Sequence, residues 1–319
     1  FDAGVLNAAY LDEIAAGRPA FITNGSGFLA WANSAALDLA GIDASTPDPF
    51  GGSIGRTPGS QEPNGILRHS AAGRVYVIIP EPDEADLRAA LRLASRMANA
   101  FGITSSNEAK MMPENHDAFV AADRAGELTL RIHGSLAWDS DRGLEQVGEL
   151  SARVAAHASP YLKANSVKLF LDGGLEGSQT AALLEPYVDS DRLGKLTYAE
   201  DGQLHDIVEA LDRAGLDVHL HAVGDRAVRT GLDAIEAAVD ANPQRNRRHH
   251  MAHLVLVDPE DLPRFARLGV TADYQALWAY LNEERKQEID VVGPERARHM
   301  MTIRSMLDTG ARVVLGSDW

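Results

Sequence analysis

Four polar side chains stand out because each falls on or beside a different apolar run. Lys168 lies inside Ser166-Val167-Lys168-Leu169-Phe170-Leu171, and His221 ends Asp217-Val218-His219-Leu220-His221. His253 closes His249-His250-Met251-Ala252-His253, and Asp318 follows Val313-Val314-Leu315 within Gly316-Ser317-Asp318-Trp319. Neutral imidazoles and carboxylates are the ordinary ligands of zinc and neighbouring divalent ions. A strand-buried lysine is costly as an ammonium. Carboxylation by carbon dioxide turns it into an anionic oxygen donor able to bridge two metals. An aspartate beside metal-bound water can take its proton and deliver it to a departing amine. Two other readings stay open for the same residues. A desolvated Lys168 is also what an imine-forming Schiff-base lyase uses, and the alternative without catalysis is an inactive barrel fragment that binds a ligand or self-associates. Taken singly, Lys168 reads equally as a snorkelling lysine and Asp318 as a turn residue. His219 and His250 are read as hydrogen-bonded core histidines.

These positions depend on a regular frame. From about Pro82 onward, amphipathic helical stretches alternate with short strands. Helices are expected near 83–101, 116–125, 144–157, 200–214, 226–239, 259–268 and 294–309. Strands are expected near 102–106, 128–136, 166–171, 217–222, 250–257, 270–275 and 312–315. Repeated β-then-α order predicts a parallel sheet covered by helices. Seven such repeats fit a TIM (β/α)8 barrel lacking one strand, and no G-x-G-x-x-G follows any strand, which weakens a dinucleotide-binding alternative. In a barrel the chemistry belongs at the C-terminal ends of the strands, where the four residues fall. The first 81 residues read as a separate cover subdomain and 82–319 as the barrel. Turn-rich stretches such as Ser45-Thr46-Pro47-Asp48-Pro49 punctuate the former. A short helix is expected over Asn33–Gly41, capped by Asn33 or Ser34 and stopped by Gly41.

Composition narrows the function classes. The chain has 319 residues, 45% of them hydrophobic, and a formal net charge of −16. An acidic surface repels nucleic acid and anionic membranes, and there is no basic run to act as a phosphate footprint. Cysteine is absent, which removes disulfides, thiolate metal sites and a cysteine nucleophile. No apolar run approaches the roughly 18–20 residues that span a bilayer. The expected partner is a small-molecule substrate, with no nucleic acid and no membrane. The compartment stays open, cytoplasm being favoured.

Read together in order and spacing, several motifs resemble a known family. They are Trp31-Ala32-Asn33-Ser34-Ala35-Ala36-Leu37, Thr46-Pro47-Asp48-Pro49-Phe50-Gly51-Gly52 and Asn64-Gly65-Ile66-Leu67. Further on come Val167-Lys168-Leu169-Phe170-Leu171-Asp172-Gly173, Thr180-Ala181-Ala182, Pro186-Tyr187, His221-Ala222-Val223-Gly224-Asp225-Arg226-Ala227-Val228, Ala252-His253-Leu254 and Gly316-Ser317-Asp318-Trp319. The chain resembles the YtcJ-like branch of the amidohydrolase superfamily, amidohydrolase family 3, which includes N-substituted formamide deformylase. The resemblance implies a metal-dependent hydrolase of C–N bonds in small amide or formamide-like substrates. It implies one or two divalent ions, zinc foremost. Lys168 would be the strand-4 lysine and carboxylated bridge, His221 and His253 the strand-5 and strand-6 ligands, and Asp318 the strand-8 ligand and proton shuttle. Asp172, Asp225, Gln275 and Trp278 would shape the substrate pocket. Residues 24–79 would form the insertion after strand 1, with Trp31 and Asn33 either facing substrate or only packing the insert.

The sequence also departs from the family pattern. Family members begin with a small β-sandwich and a His-x-His motif on strand 1, whereas the only His-x-His here is His219-x-His221. Phe28 stands where many relatives have histidine, and Ala252 where many have glutamate. The expectation is therefore a fragment lacking strand 1, the β-sandwich and two histidine ligands. Its open edge predicts self-association as a homo-oligomer.

Overall fold

The computed structural model describes residues 7–23, 29–49, 52–175, 179–188, 190–199 and 202–318. Phe28, Phe50, Gly51 and Trp319, named above, lie outside them. The chain divides into two compact units, Phe1–Pro82 and Asp83–Trp319.

The first unit is built on helix α1 (Ala8–Ala15), strands β1 (Phe21–Thr23) and β2 (Leu29–Ala32), helix α2 (Ser34–Leu39), strands β3 (Gly52–Arg56) and β4 (Pro63–His69), and helix α3 (Ser70–Tyr76). The strands form an antiparallel sheet in the order β1-β2-β4-β3. Its core gathers Ala30, Leu37, Ile42, Ile54, Leu67 and Val75. The sequence reading saw turns here and no sheet, because Gly and Pro break the alternation of these short strands. Asn33 does cap α2, its Oδ1 accepting the amide of Ala36 at 3.0 Å.

The second unit runs α4 (Glu84–Ala100), β5 (Ser105–Met111), α5 (Pro113–Arg124), β6 (Arg131–Ala137), α6 (Gln146–Ala156), β7 (Leu162–Phe170), α7 (Gln203–Arg213) and β8 (Asp217–Ala222). It continues α8 (Asp225–Ala241), β9 (His250–His253), α9 (Leu262–Leu268), β10 (Thr271–Tyr274), a 3-10 turn (Ala276–Ala279), α10 (Glu283–Val292), α11 (Pro294–Ala297), α12 (Ile303–Asp308) and β11 (Val313–Leu315). All seven strands pair in parallel, each with the next in the chain, from β5 to β11. The result is an α/β fold around a curled parallel sheet.

The two faces of that sheet differ, and the strand period of two explains how. Val167, Leu169, Val218, Leu220 and Met251 pack with Leu204, Ile207, Leu211, Val228, Leu232 and Ile235 from α7 and α8 in one core. Each fully buried side chain of this kind contributes about 1.5–3 kcal/mol. The intervening residues Ser166, Lys168, His219 and His221 therefore belong to the opposite face.

Four elements differ from expectation. Strand β5 lies at 105–111 rather than 102–106, because Ser-Ser-Asn-Glu-Ala-Lys-Met is largely exposed and lacks apolar alternation. The helix expected over 294–309 breaks into α11 and α12 where Met301 adopts φ +49° and its amide bonds to Val255 O. The strand expected to reach 257 stops at His253, since His253 and Leu254 both take positive φ. Helix α10 was not foreseen, its sequence being mostly charged.

Candidate active site

Pairing sets the first contacts. Lys168 stands opposite His219, Phe170 opposite His221, His219 opposite His250, and Ala222 opposite His253. His221 and His253 stand at the C-terminal ends of β8 and β9, whereas His219 and His250 lie one layer deeper, toward the N-terminal ends of the same strands. Regular pleating would send His253 to the face opposite His250 and Ala252. Its φ of +80° re-aims the ring, which lies 4.4 Å from that of His221, centroid to centroid.

Among the described residues, each imidazole has one nitrogen hydrogen-bonded and no hydrogen bond at the other. His253 Nδ1 donates to Gln275 Oε1 at 2.8 Å, and its ring stacks on Trp278 at 5.2 Å and 7°. His221 Nε2 donates to the carbonyl of Gly173 at 3.4 Å. Burial disfavours the imidazolium in each case, pushing His221 down to about 3 and His253 to about 4, with neighbouring positive charge at Lys168 adding to the effect. A neutral ring that gives its N–H to a carbonyl oxygen and keeps its second lone pair is the state that binds metal. Among the described residues no three His, Asp or Glu side chains converge closely enough to hold an ion by themselves. His221, His253 and Asp318 do not by themselves make such a group, and Lys168 is the further polar group beside the two histidines.

Lys168 is 4% exposed. Burial lowers its pKa to about 8, against the opposing carboxylates of Asp318 and Asp273. Its Nζ lies 3.2 Å from His219 Nε2 and 5.1 Å from the centre of the Phe170 ring. Asp318, exposed and at φ +58°, is among the charges acting on both Lys168 and His221. Asp273 escaped the sequence reading. Burial raises its carboxyl to about 6, Lys168 pulls it down and Asp318 pushes it up. Gln275 Nε2 reaches toward its Oδ1 at 3.5 Å. The available signal was the alternation Asp273–Gln275 at the end of β10, two polar residues on one face.

The other candidates also bind backbone, although Asp172 Oδ1 stays 3.6 Å from His221 Nε2. Asp172, its side chain fully buried, accepts the amides of Val223 (3.0 Å), Ala182 (2.9 Å) and Gly224 (2.9 Å). Burial pushes its carboxyl up to about 7 while those three donors hold it down. Asp225 accepts the amides of Leu184 and Arg226, both at 2.9 Å. These carboxylates clamp backbone at the strand ends. A cavity of about 370 Å³ opens beside Asp172 and Gly173, with Ser140, Asp141, Thr180, Lys195 and Thr197 in its wall. In the first unit, Asn33 is fully buried. It accepts from Ala20 N and Ala36 N and donates to Arg18 O, while Trp31 donates to Asn7 O and stacks on Tyr10. Both side chains are thus occupied in packing and capping within that unit.

Comparison with known proteins bears on the family and the fold. A family model described as an amidohydrolase family matches residues 2–319. The protein LONG AFTER FAR-RED 3 of Arabidopsis thaliana is 30% identical, over 98% of this chain and 54% of that protein. An N-substituted formamide deformylase of Arthrobacter pascens is 27% identical, over 97% of this chain and 57% of its own length. The chain spans about half the length of these curated relatives. An uncharacterized metal-dependent hydrolase from Pyrococcus furiosus superposes with a TM-score of 0.74 at 25% identity, covering 98% of this chain and 60% of that one.

Proposed function

Because the chain belongs to the amidohydrolase family, we propose that its second unit is the TIM-barrel core of a metal-dependent hydrolase that cleaves C–N bonds in small amide or formamide-like substrates. The observation that carries this reading is the His221–His253 pair, each ring neutral, anchored by one nitrogen and, among the described residues, without a hydrogen bond at the other, beside a buried lysine. An imine-forming lyase needs no such pair.

His221, His253, Lys168 and Asp318 would hold the ion, and this nitrogen and oxygen donor set suits zinc or a neighbouring divalent metal. Bound there, a divalent ion polarises a carbonyl and brings the pKa of water to near neutrality. The chain's own residues do the rest. Gln275 fixes the His253 tautomer, Gly173 that of His221, and Trp278 holds the His253 ring flat. Asp318 takes a proton from the attacking water and passes it to the leaving nitrogen. The polar cavity beside Gly173 is where the remainder of a small polar substrate would lie.

Two measurements test this. Plasma mass spectrometry is expected to find one or two divalent ions per chain, falling sharply in His221→Ala and His253→Ala. Asp318→Asn is expected to keep the fold and lose turnover by roughly 10²–10⁴-fold, the span of a general acid–base group. Parental turnover in Asp318→Asn, or metal content indifferent to both histidines, would sink the reading.

A further inference from the structure

Below Lys168 the same face of the sheet carries polar groups that the proposed chemistry does not use. Ser166 and Ser135 are fully buried, His219 is 1% exposed and Lys168 4%. They touch in series across β6, β7 and β8. Ser166 Oγ lies 3.2 Å from the carbonyl oxygen of Gly134, which only accepts, so Ser166 spends its proton there. At the 2.8 Å contact between the two hydroxyls Ser166 is then the acceptor and Ser135 the donor. Ser135 has no second proton, so at its 2.9 Å contact with His219 Nδ1 the hydroxyl accepts and the ring donates. A neutral imidazole carries one N–H. With it on Nδ1, Nε2 presents a bare lone pair to Lys168 Nζ, 3.2 Å away. The ring is also held on its face by His250, at 4.0 Å between centroids. Each group thus inherits its role from the one before, back to a backbone carbonyl.

We propose that Ser166, Ser135 and His219 form a positioning relay that fixes His219 as its Nδ1–H tautomer and takes one N–H of Lys168, presenting the rest of the amine for attack on carbon dioxide. His219 is a positioning residue and does not touch substrate. The carbon dioxide step rests on the reading of Lys168 as a metal-bridging group; the relay itself does not. In that step Nζ donates its lone pair to the carbon, one C=O pair moves onto oxygen, and one Nζ proton leaves to water. The nitrogen keeps a single N–H. His219 Nε2 accepts that one, so the new carboxylate is turned away from the relay.

The test uses the purified protein with ring-¹⁵N-labelled histidine, and separately with ¹³C-bicarbonate and zinc. The ¹⁵N spectrum is expected to show His219 protonated at Nδ1 and bare at Nε2, a bias that Ser135→Ala weakens. The ¹³C spectrum is expected to show a carbamate resonance that Lys168→Met removes. His219→Leu lowers its occupancy about tenfold, the worth of one lost hydrogen bond. His219→Gln, whose Oε1 can accept in place of Nε2, restores most of it and guards against a simple folding defect. An Nε2–H tautomer at His219, or a parental carbamate signal in His219→Leu, overturns the relay. An Nδ1–H tautomer with no carbamate in the parent protein supports the relay and overturns only the reading of Lys168 as a bridging group.

Discussion

Replacing Asp172 by alanine separates its two conceivable roles. Its oxygens accept three buried amides, from Ala182, Val223 and Gly224, that lie 10 to 52 residues further along the chain. A buried donor left without a partner costs about 1–3 kcal/mol. The adjoining cavity lets water reach part of the gap, and removing a buried carboxylate also removes its own desolvation cost, so the low end applies to each amide. The sum is about 3 kcal/mol, or a fall of roughly 6–12 °C in Tm for a unit of this size. Asp172→Asn, which keeps one accepting oxygen, should fall about half as far. The assay is a thermal melt by circular dichroism, paired with turnover measured well below the transition. A melt within about 2 °C of the parent, combined with lost turnover, would refute the structural reasoning. Asp172 would then work on substrate and not on the backbone.

Asp212 supplies a pH prediction. Burial opposes its ionisation, but His249 at 3.3 Å, two hydrogen bonds from Arg247, one from Asn242 and the charge of Arg245 outweigh it and hold the carboxyl well below its usual range. Since the folded value is depressed, the unfolded chain takes up the proton first. The stabilisation is complete above about pH 5 and drains away as pH falls below about 4. Urea titrations should give Asp212→Asn a deficit of about 3 kcal/mol at neutral pH that narrows toward about pH 3, and a pH-independent deficit would contradict the assignment. In the first unit, Asn33→Ala should cost about 1–2 kcal/mol and quicken amide exchange across α2. Altered substrate preference with unchanged exchange would instead give Asn33 a place in recognition.

Much of the frame was legible because it is written in periodicity. The helix expected at 83–101 is α4 at Glu84–Ala100, and the strand expected at 217–222 is β8 to the residue. Apolar residues at helical spacing marked the one, to which the structure adds an Asp83 cap, and alternating apolar and histidine positions marked the other. What the sequence could not disclose was where distant backbone would arrive. Nothing local to Asp172 or Asp225 announces that their oxygens are taken by amides from other loops. The family resemblance placed both in the pocket wall; Asp172 does line the cavity beside Gly173, and the geometry adds that both carboxylates clamp backbone. Likewise His219 reads alone as an ordinary core histidine. Its meaning comes from Ser135 and Lys168, which only the pairing of three strands brings to it. Asp273 was passed over because a single acid in a four-residue strand resembles a solvent-facing residue until its neighbours are known.

The sequential order of the parallel sheet bears on how the protein is made. Every strand from β6 to β11 lies beside the one synthesised just before it, so an emerging chain can add each strand and helix to a finished edge without waiting for a distant partner. The serine–histidine–lysine run is complete once β8 has docked. Asp318, beyond the last strand, is delivered long afterwards. On the ribosome, then, the scaffold that holds the amine would be in place well before the acid to which the proposed chemistry assigns proton transfer.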